Sequence, residues 1–249
     1  MITKKELQIC CQLSINAYQG RHGKVIELLE EKVEEIVEGV YLCTGWKDNN
    51  FYIIFEGTDG TNQWIDNFDY KKETIPYYFP VSSYYKGHAG FLKHYEIIRK
   101  RVWHRYWENI REVIDGKSYV YITGHSLGAI TATFCADDIE TNGASNIKLI
   151  TFGSPRGFSI TSARNFNTRF NSKSNSYESW QVIVGNDIVT KVPTMFMGFK
   201  RVMHKIWIDK PTFKDFFKHP MNRIKGIWED HYPQRYLKAI NKLTGDYFQ

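Results

Sequence analysis

The chain has 249 residues, 42% of them apolar, and a formal net charge of +6. That length buries the core of one α/β domain spanning residues 1–249, and no stretch approaches the ~20 apolar residues of a membrane-spanning helix. The four cysteines form no C-x-x-C pair and there is no H-E-x-x-H run, so neither a metal nor a cofactor is expected.

Leu7, Cys10, Cys11, Ile15 and Tyr18 predict an amphipathic helix over about residues 4–18. Cys10 and Cys11 are adjacent, and Cys43 and Cys135 sit in apolar patterns. All four read as free buried thiols in a reducing compartment. The start, Met1-Ile-Thr-Lys-Lys-Glu-Leu7, lacks the apolar run of a secretory leader. A cytoplasmic location is therefore expected, with export by a route not visible in the sequence left open. Strands near residues 24–30 and 33–46 lead to a third, Phe51 to Phe55. A loop follows with Gly57, Thr58 and the turn pair Asp59-Gly60. Beyond it, Trp64 and Phe68 stand four positions apart, which a short helix would place on one face. After His88, apolar residues Phe91, Tyr95, Ile98, Val102, Tyr106, Ile110 and Val113 predict a long helix.

The most informative segment comes next. The apolar run Val120 to Thr123 ends in Gly124-His-Ser126-Leu-Gly128, and an alanine-rich helical pattern follows. Strand, G-x-S-x-G and helix together form a nucleophile elbow, a tight turn that lifts the serine hydroxyl clear of a sheet. Glycine at 124 and 128 removes side chains where strand and helix nearly touch. The first amides of the helix then face a reacting carbonyl. A strand over Ile147 to Phe152 continues the alternation of strand and helix, which implies a largely parallel sheet with antiparallel strands at its start. The polar run Asn171 to Ser176 reads as a loop tip. Asp187 lies at the end of a strand beginning near Val182, which fits the order Ser, Asp, His along the chain.

Eight histidines compete as the general base. His22, His88, His94 and His104 precede the serine, and His125 diverges from Ser126 as its direct neighbour. His204 lies in a strand pattern and His219 in a polar loop. His231 opens a predicted helix with Asp230 as its N-cap. The choice falls on His231 over His204 and His219.

In order along the chain, Phe55-Glu-Gly-Thr58, Trp64-Ile-Asp-Asn67-Phe68, His88-Ala-Gly90-Phe91, Gly124-His-Ser126-Leu-Gly128, Thr151-Phe-Gly-Ser-Pro155-Arg156 and Gly185-Asn-Asp187-Ile-Val189 resemble the motifs of the class 3, fungal-lipase-like branch of the α/β-hydrolases. The resemblance spans about residues 40 to 208, with a looser match around Asp230-His231. Glu56, Gln63 and Thr190 depart from the family's usual Arg, Asn and Pro.

The resemblance implies an α/β-hydrolase fold: a mostly parallel central sheet flanked by helices, with a short lid after the oxyanion loop. It implies a Ser126–His231–Asp187 triad, an oxyanion hole from the N–H groups of Thr58 and Leu127, and a lid carrying Trp64 and Phe68. The substrate it implies is a lipid ester, with a phospholipid or short-chain ester as alternatives. A catalytically silent lipid-binding homologue is the non-enzyme alternative. Basic clusters at Arg99-Lys-Arg101, Lys200-Arg201 and Lys214 to Lys225 fit either a solvated face or peripheral contact with a lipid interface. They match no nucleic-acid-binding motif.

Overall fold

A computed structural model describes residues 1–20, 28–58, 70–78, 83–115, 118–170, 177–211 and 228–248. Among these, alternating side chains build a sheet whose inner strands are buried on both faces. Its antiparallel side holds β2 (Glu30–Val37), β3 (Val40–Lys47) and β4 (Asn50–Phe55), preceded by β1 (Ile2–Thr3) and helix α1 (Lys4–Gly20). After β5 (Lys72–Thr74) and β6 (Lys86–His88) comes a long helical segment, α2 (Ala89–Arg101) and α3 (Trp107–Asp115). Next come β7 (Val120–His125), α4 (Leu127–Thr141), β8 (Ile147–Phe152), β9 (Phe158–Ser159) and α5 (Ile160–Phe170). The chain continues through β10 (Tyr177–Val184), β11 (Phe199–Lys200), β12 (His204–Ile208), α6 (Pro233–Asn241) and β13 (Tyr247–Phe248).

The seven-stranded sheet runs β12-β10-β8-β7-β4-β3-β2. Every neighbouring pair from β4 to β12 is parallel, and the pairs β2–β3 and β3–β4 are antiparallel. The period of two divides the core. Leu42, Ile53, Phe55, Ile122 and Leu149 face one layer, with Tyr95, Phe134 and Phe166 from α2, α4 and α5. Cys43, Ile54, Tyr121, Ile150 and Val182 face the other, with Leu7 and Cys10 of α1 and Tyr236 and Ile240 of α6. A separate, smaller antiparallel sheet has the order β11-β9-β6-β5.

The chain departs from its predicted elements in three places. The predicted strands near 24–30 and 33–46 are the hairpin β2–β3: β2 begins at Glu30, the turn falls at residues 38–39 inside the second predicted strand, and residues 21–27 lie outside the described set. The long helix is interrupted by a π turn, Val102–Tyr106. Its apolar positions Ile98, Val102, Tyr106 and Ile110 step by four, overshooting the 3.6-residue period each time. One wider turn absorbs the excess and keeps all four buried. Finally, Asp230 is not an N-cap. Tyr232 caps α6 because Pro233, with its fixed φ and no N–H, occupies the first helical position. Asp230 instead accepts the Asn186 N–H at 2.7 Å.

Polar groups anchor the far end of α4. Asp137 and Asp138 are fully buried there. Asp137 accepts hydrogen bonds from Tyr77, Tyr78 and Arg169. Asp138 accepts from Tyr95 at 2.7 Å, Arg99 at 2.7 Å and Trp103 at 2.8 Å. Each buried carboxylate is thus paired and hydrogen-bonded, the condition under which burial is tolerated.

Candidate active site

Because β4, β7, β8 and β10 run parallel, the residues that follow them share one sheet edge. Those residues are Thr58, Ser126, Gly153 and Asp187. Ser126 adopts φ 59°, ψ −123° between β7 and α4. A non-glycine residue in that region is strained and needs support around it. The Ser126 N–H donates to Phe152 O at 3.0 Å, and Ser126 O accepts from Ala129 N at 3.0 Å.

Close packing sets the identities of the two elbow glycines. A Cβ at position 124 would sit 2.5 Å from the Gly128 carbonyl, and one at 128 would sit 2.4 Å from Phe55 O. Gly57 presses on the same elbow, since a Cβ there would lie 2.6 Å from His125 O. This carries the half-buried Thr58 to the flank of the turn. The first amides of α4, Leu127 among them, have no intrahelical acceptor and carry the positive end of the helix dipole.

His231 reaches the elbow from the loop before α6. Its Nε2 lies 2.8 Å from Ser126 Oγ, and its Nδ1 lies 2.8 Å from Asp187 Oδ2. All three side chains are buried. Asp187 Oδ1 accepts the Val189 N–H at 2.8 Å, and Oδ2 also accepts the Tyr236 hydroxyl. Thr190, in the position where the family usually has proline, ties the same loop with a 2.9 Å bond from its hydroxyl to Asp187 O. Glu56, where the resemblance leads to an expected arginine, is buried.

His125 does separate work. Burial, and then the neighbouring His231, push its pKa well below the usual histidine range, so the ring is neutral. Its Nε2 lies 2.8 Å from His231 O, an acceptor only, so Nε2 carries the proton and donates. That leaves Nδ1 to accept from Tyr18 Oη at 2.8 Å. His125 thus fixes the backbone of the residue that faces Ser126.

The remaining histidines lie elsewhere. His88 caps α2, His94 meets Thr131 at 3.0 Å, and His104 is exposed. His204 is exposed at the start of β12, its ring 5.1 Å from that of Trp180. His22, His219, Trp64 and Phe68 lie outside the described residues.

Sequence reasoning missed Gly153, whose φ is +62°. A Cβ there would meet Asp187 Oδ2 at 3.0 Å and His231 Cε1 at 3.0 Å. It also missed the Tyr18–His125 link. Tyr18 gave only the signal of an apolar helix face.

Comparison with known proteins agrees with this geometry. The pattern of Lipase (class 3) matches residues 52–197. A lipase of Rhizomucor miehei is 29% identical over 178 residues, covering 67% of this chain and 44% of that one. Secreted mono- and diacylglycerol lipase 1 of Fusarium solani is 25% identical over 196 residues, covering 76% of this chain and 53% of that one. The chain therefore spans about half the length of these relatives. A solved triacylglycerol lipase, whose catalytic centre is a serine-protease triad, superposes with a TM-score of 0.67 at 26% identity, over 82% of this chain and 79% of that one. The expected cytoplasmic location is overturned, because the Fusarium relative is a secreted enzyme. The four free cysteines are all buried, a state that core packing alone accounts for in any compartment. With the elbow, the acid after β10 and the later histidine in family order, and with the pattern matched over more than half its length, this chain belongs to the class 3 lipase family.

Proposed function

We propose that the chain is a serine carboxylic ester hydrolase that cleaves the acyl esters of glycerides at a lipid interface, built as one α/β-hydrolase domain over residues 1–249. The observation that carries this reading is the unbroken line Ser126 Oγ, His231 and Asp187, with 2.8 Å at each step. Ser126 Oγ attacks the acyl carbonyl while His231 Nε2 takes its proton. The carbonyl oxygen becomes an oxyanion facing the N–H groups of Thr58 and Leu127. Asp187 keeps the His231 proton on Nδ1 and stabilises the imidazolium. As the tetrahedral intermediate collapses, the ester C–O bond breaks and His231 delivers its proton to the leaving alcohol. Water, activated by the same imidazole, then hydrolyses the acyl-enzyme and regenerates Ser126.

The mono- and diacylglycerol lipase among the relatives supports a glyceride substrate. The test is a panel of triglyceride, diglyceride, phospholipid and p-nitrophenyl esters, run on the wild type and on Ser126→Ala. The expected result is glyceride hydrolysis that falls about a million-fold in the variant while the fold is kept. Retention of more than about a tenth of the wild-type rate by Ser126→Ala would overturn the mechanism. Turnover confined to phospholipid would overturn the substrate.

A further inference from the structure

We propose that the turn Met195–Phe196–Met197 is a docking tip for the surface of an anionic phospholipid bilayer, with Lys72, Arg156, Lys191 and Arg201 as its cationic collar. The proposal rests on the lipid-ester reading for its purpose, though not for its geometry. Phe196 is 103% exposed, Met195 61% and Met197 38%. Single exposed apolar side chains are ordinary; three in a row on one turn call for a partner.

The turn holds its shape without burying any of the three. Met197 N donates to Thr194 O at 3.2 Å, Gly198 N donates to Met195 O at 2.9 Å, and Gly198 takes φ +78°. Arg156 Nη1 braces the loop before it, at Lys191 O (2.6 Å) and Pro193 O (3.0 Å). Lys72 Nζ braces its far side, at Met197 O (2.6 Å). A preformed tip loses little conformational entropy on insertion.

The collar is short of negative partners. Among the described residues Arg156, Lys191 and Arg201 bond only to carbonyl and amide oxygens, and none forms an ion pair with a carboxylate. They also feel one another. Burial, and then the Arg156 guanidinium, bring the Arg201 pKa down to about 10. Burial lowers Lys191 and Lys205 too; at Lys191, Asp187 and Asp230 oppose the shift while Arg201 and Arg156 add to it, and at Lys205 Arg201, Lys210 and Arg156 all add to it. Lipid phosphates relieve such repulsion, while a second copy docked on a two-fold axis would set one collar against another. The loop also leaves the edge that carries Ser126 and Asp187. Tyr232, next to His231 and 61% exposed, is adjacent to the same triad.

The test is co-sedimentation of the full chain with vesicles of phosphatidylcholine alone and of phosphatidylcholine with phosphatidylglycerol. Each preparation is also assayed on soluble p-nitrophenyl butyrate and sized by sedimentation without lipid. We expect binding about tenfold or more tighter to the anionic vesicles, weakened by salt. Phe196→Ser should loosen it about tenfold, and Phe196→Leu should restore most of it, because a buried apolar side chain contributes about that factor. Soluble-ester turnover should stay unchanged in both. Equal binding to the two vesicle types, or wild-type binding by Phe196→Ser, overturns the proposal. So does self-association of the wild type that Phe196→Ser abolishes while vesicle binding persists. If no ester is turned over but anionic vesicles still bind through Phe196, the lipid-ester reading fails and the docking tip stands.

Discussion

Gly153→Ala probes the candidate site without replacing any group that would react. Two effects follow from the geometry, and they separate. The first is backbone strain: at φ +62° a Cβ costs about 1–2 kcal/mol. The second is displacement. The new Cβ would lie 3.0 Å from Asp187 Oδ2, 3.0 Å from His231 Cε1 and 3.1 Å from His231 Nδ1. Neither side chain swings away freely. Asp187 is held by Val189 N and Tyr236, and His231 is held by Asp187 and Ser126. The pair must shift by a few tenths of an ångström, away from the line to Ser126. A misplacement near 1 Å costs about a hundredfold, so kcat should fall about tenfold, with KM nearly constant. Gly143→Ala is the control. Its φ of +99° carries the strain, but nothing lies within 4 Å of its Cβ. Both variants should lose comparable stability in urea denaturation, and only Gly153→Ala should lose turnover of a soluble ester. Equal turnover by the two variants would refute the claim that position 153 makes room for the acid and base.

Further outcomes follow from the same geometry. His231→Ala should abolish turnover, whereas His204→Ala, an exposed side chain beside Trp180, should leave turnover intact and shift Tm only slightly; a folded but inactive His204→Ala would reverse the assignment. Tyr236→Phe removes a buried donor to the Asp187 carboxylate. It should cost about 1.5–3 kcal/mol of stability and lower kcat, and wild-type values for both would exclude that role. His125 has a folded-state pKa below its unfolded value of about 6.5, so the folded state binds fewer protons than the unfolded state as acidity rises. The stability from keeping this ring neutral is present above pH ~6.5 and is lost as pH falls below it, by up to about 1.4 kcal/mol per unit. Urea titrations from neutral to mildly acidic pH should show that slope in the wild type and a shallower one in His125→Gln; parallel slopes would contradict it.

What was legible in the sequence was local chemistry. Gly124 and Gly128 advertise a strand and helix in near contact because no larger residue fits there, whatever the rest of the chain does. The order of strands and helices carried the parallel sheet for the same reason. Gly153 was opaque because its need arises from Asp187 and His231, which approach it only in the folded chain. Tyr18 looked like any apolar-face residue of α1 until tertiary packing set it against His125. Asp230 preceded a helical pattern and so resembled a cap, but Pro233 fixed the helix start beyond its reach. The four-residue steps near Tyr106 did contain the signal for the π turn, in a drift that counting apolar positions alone passes over.

The buried aspartates of α4 have a consequence at the opposite end of that helix. A helix turns as a rod, so its azimuth at one end fixes its azimuth at the other. Leu127 and Asp138 stand eleven positions apart, about 16 Å at 1.5 Å per residue. Tyr95, Arg99 and Trp103 grip Asp138 from α2 and the π turn, while Arg169 and two tyrosines grip Asp137. These contacts act on the rod as a clamp acts on a shaft. The bearing of the Leu127 amide, and with it the direction from which an oxyanion would be met, is therefore held in part by side chains that never come near the reacting atoms.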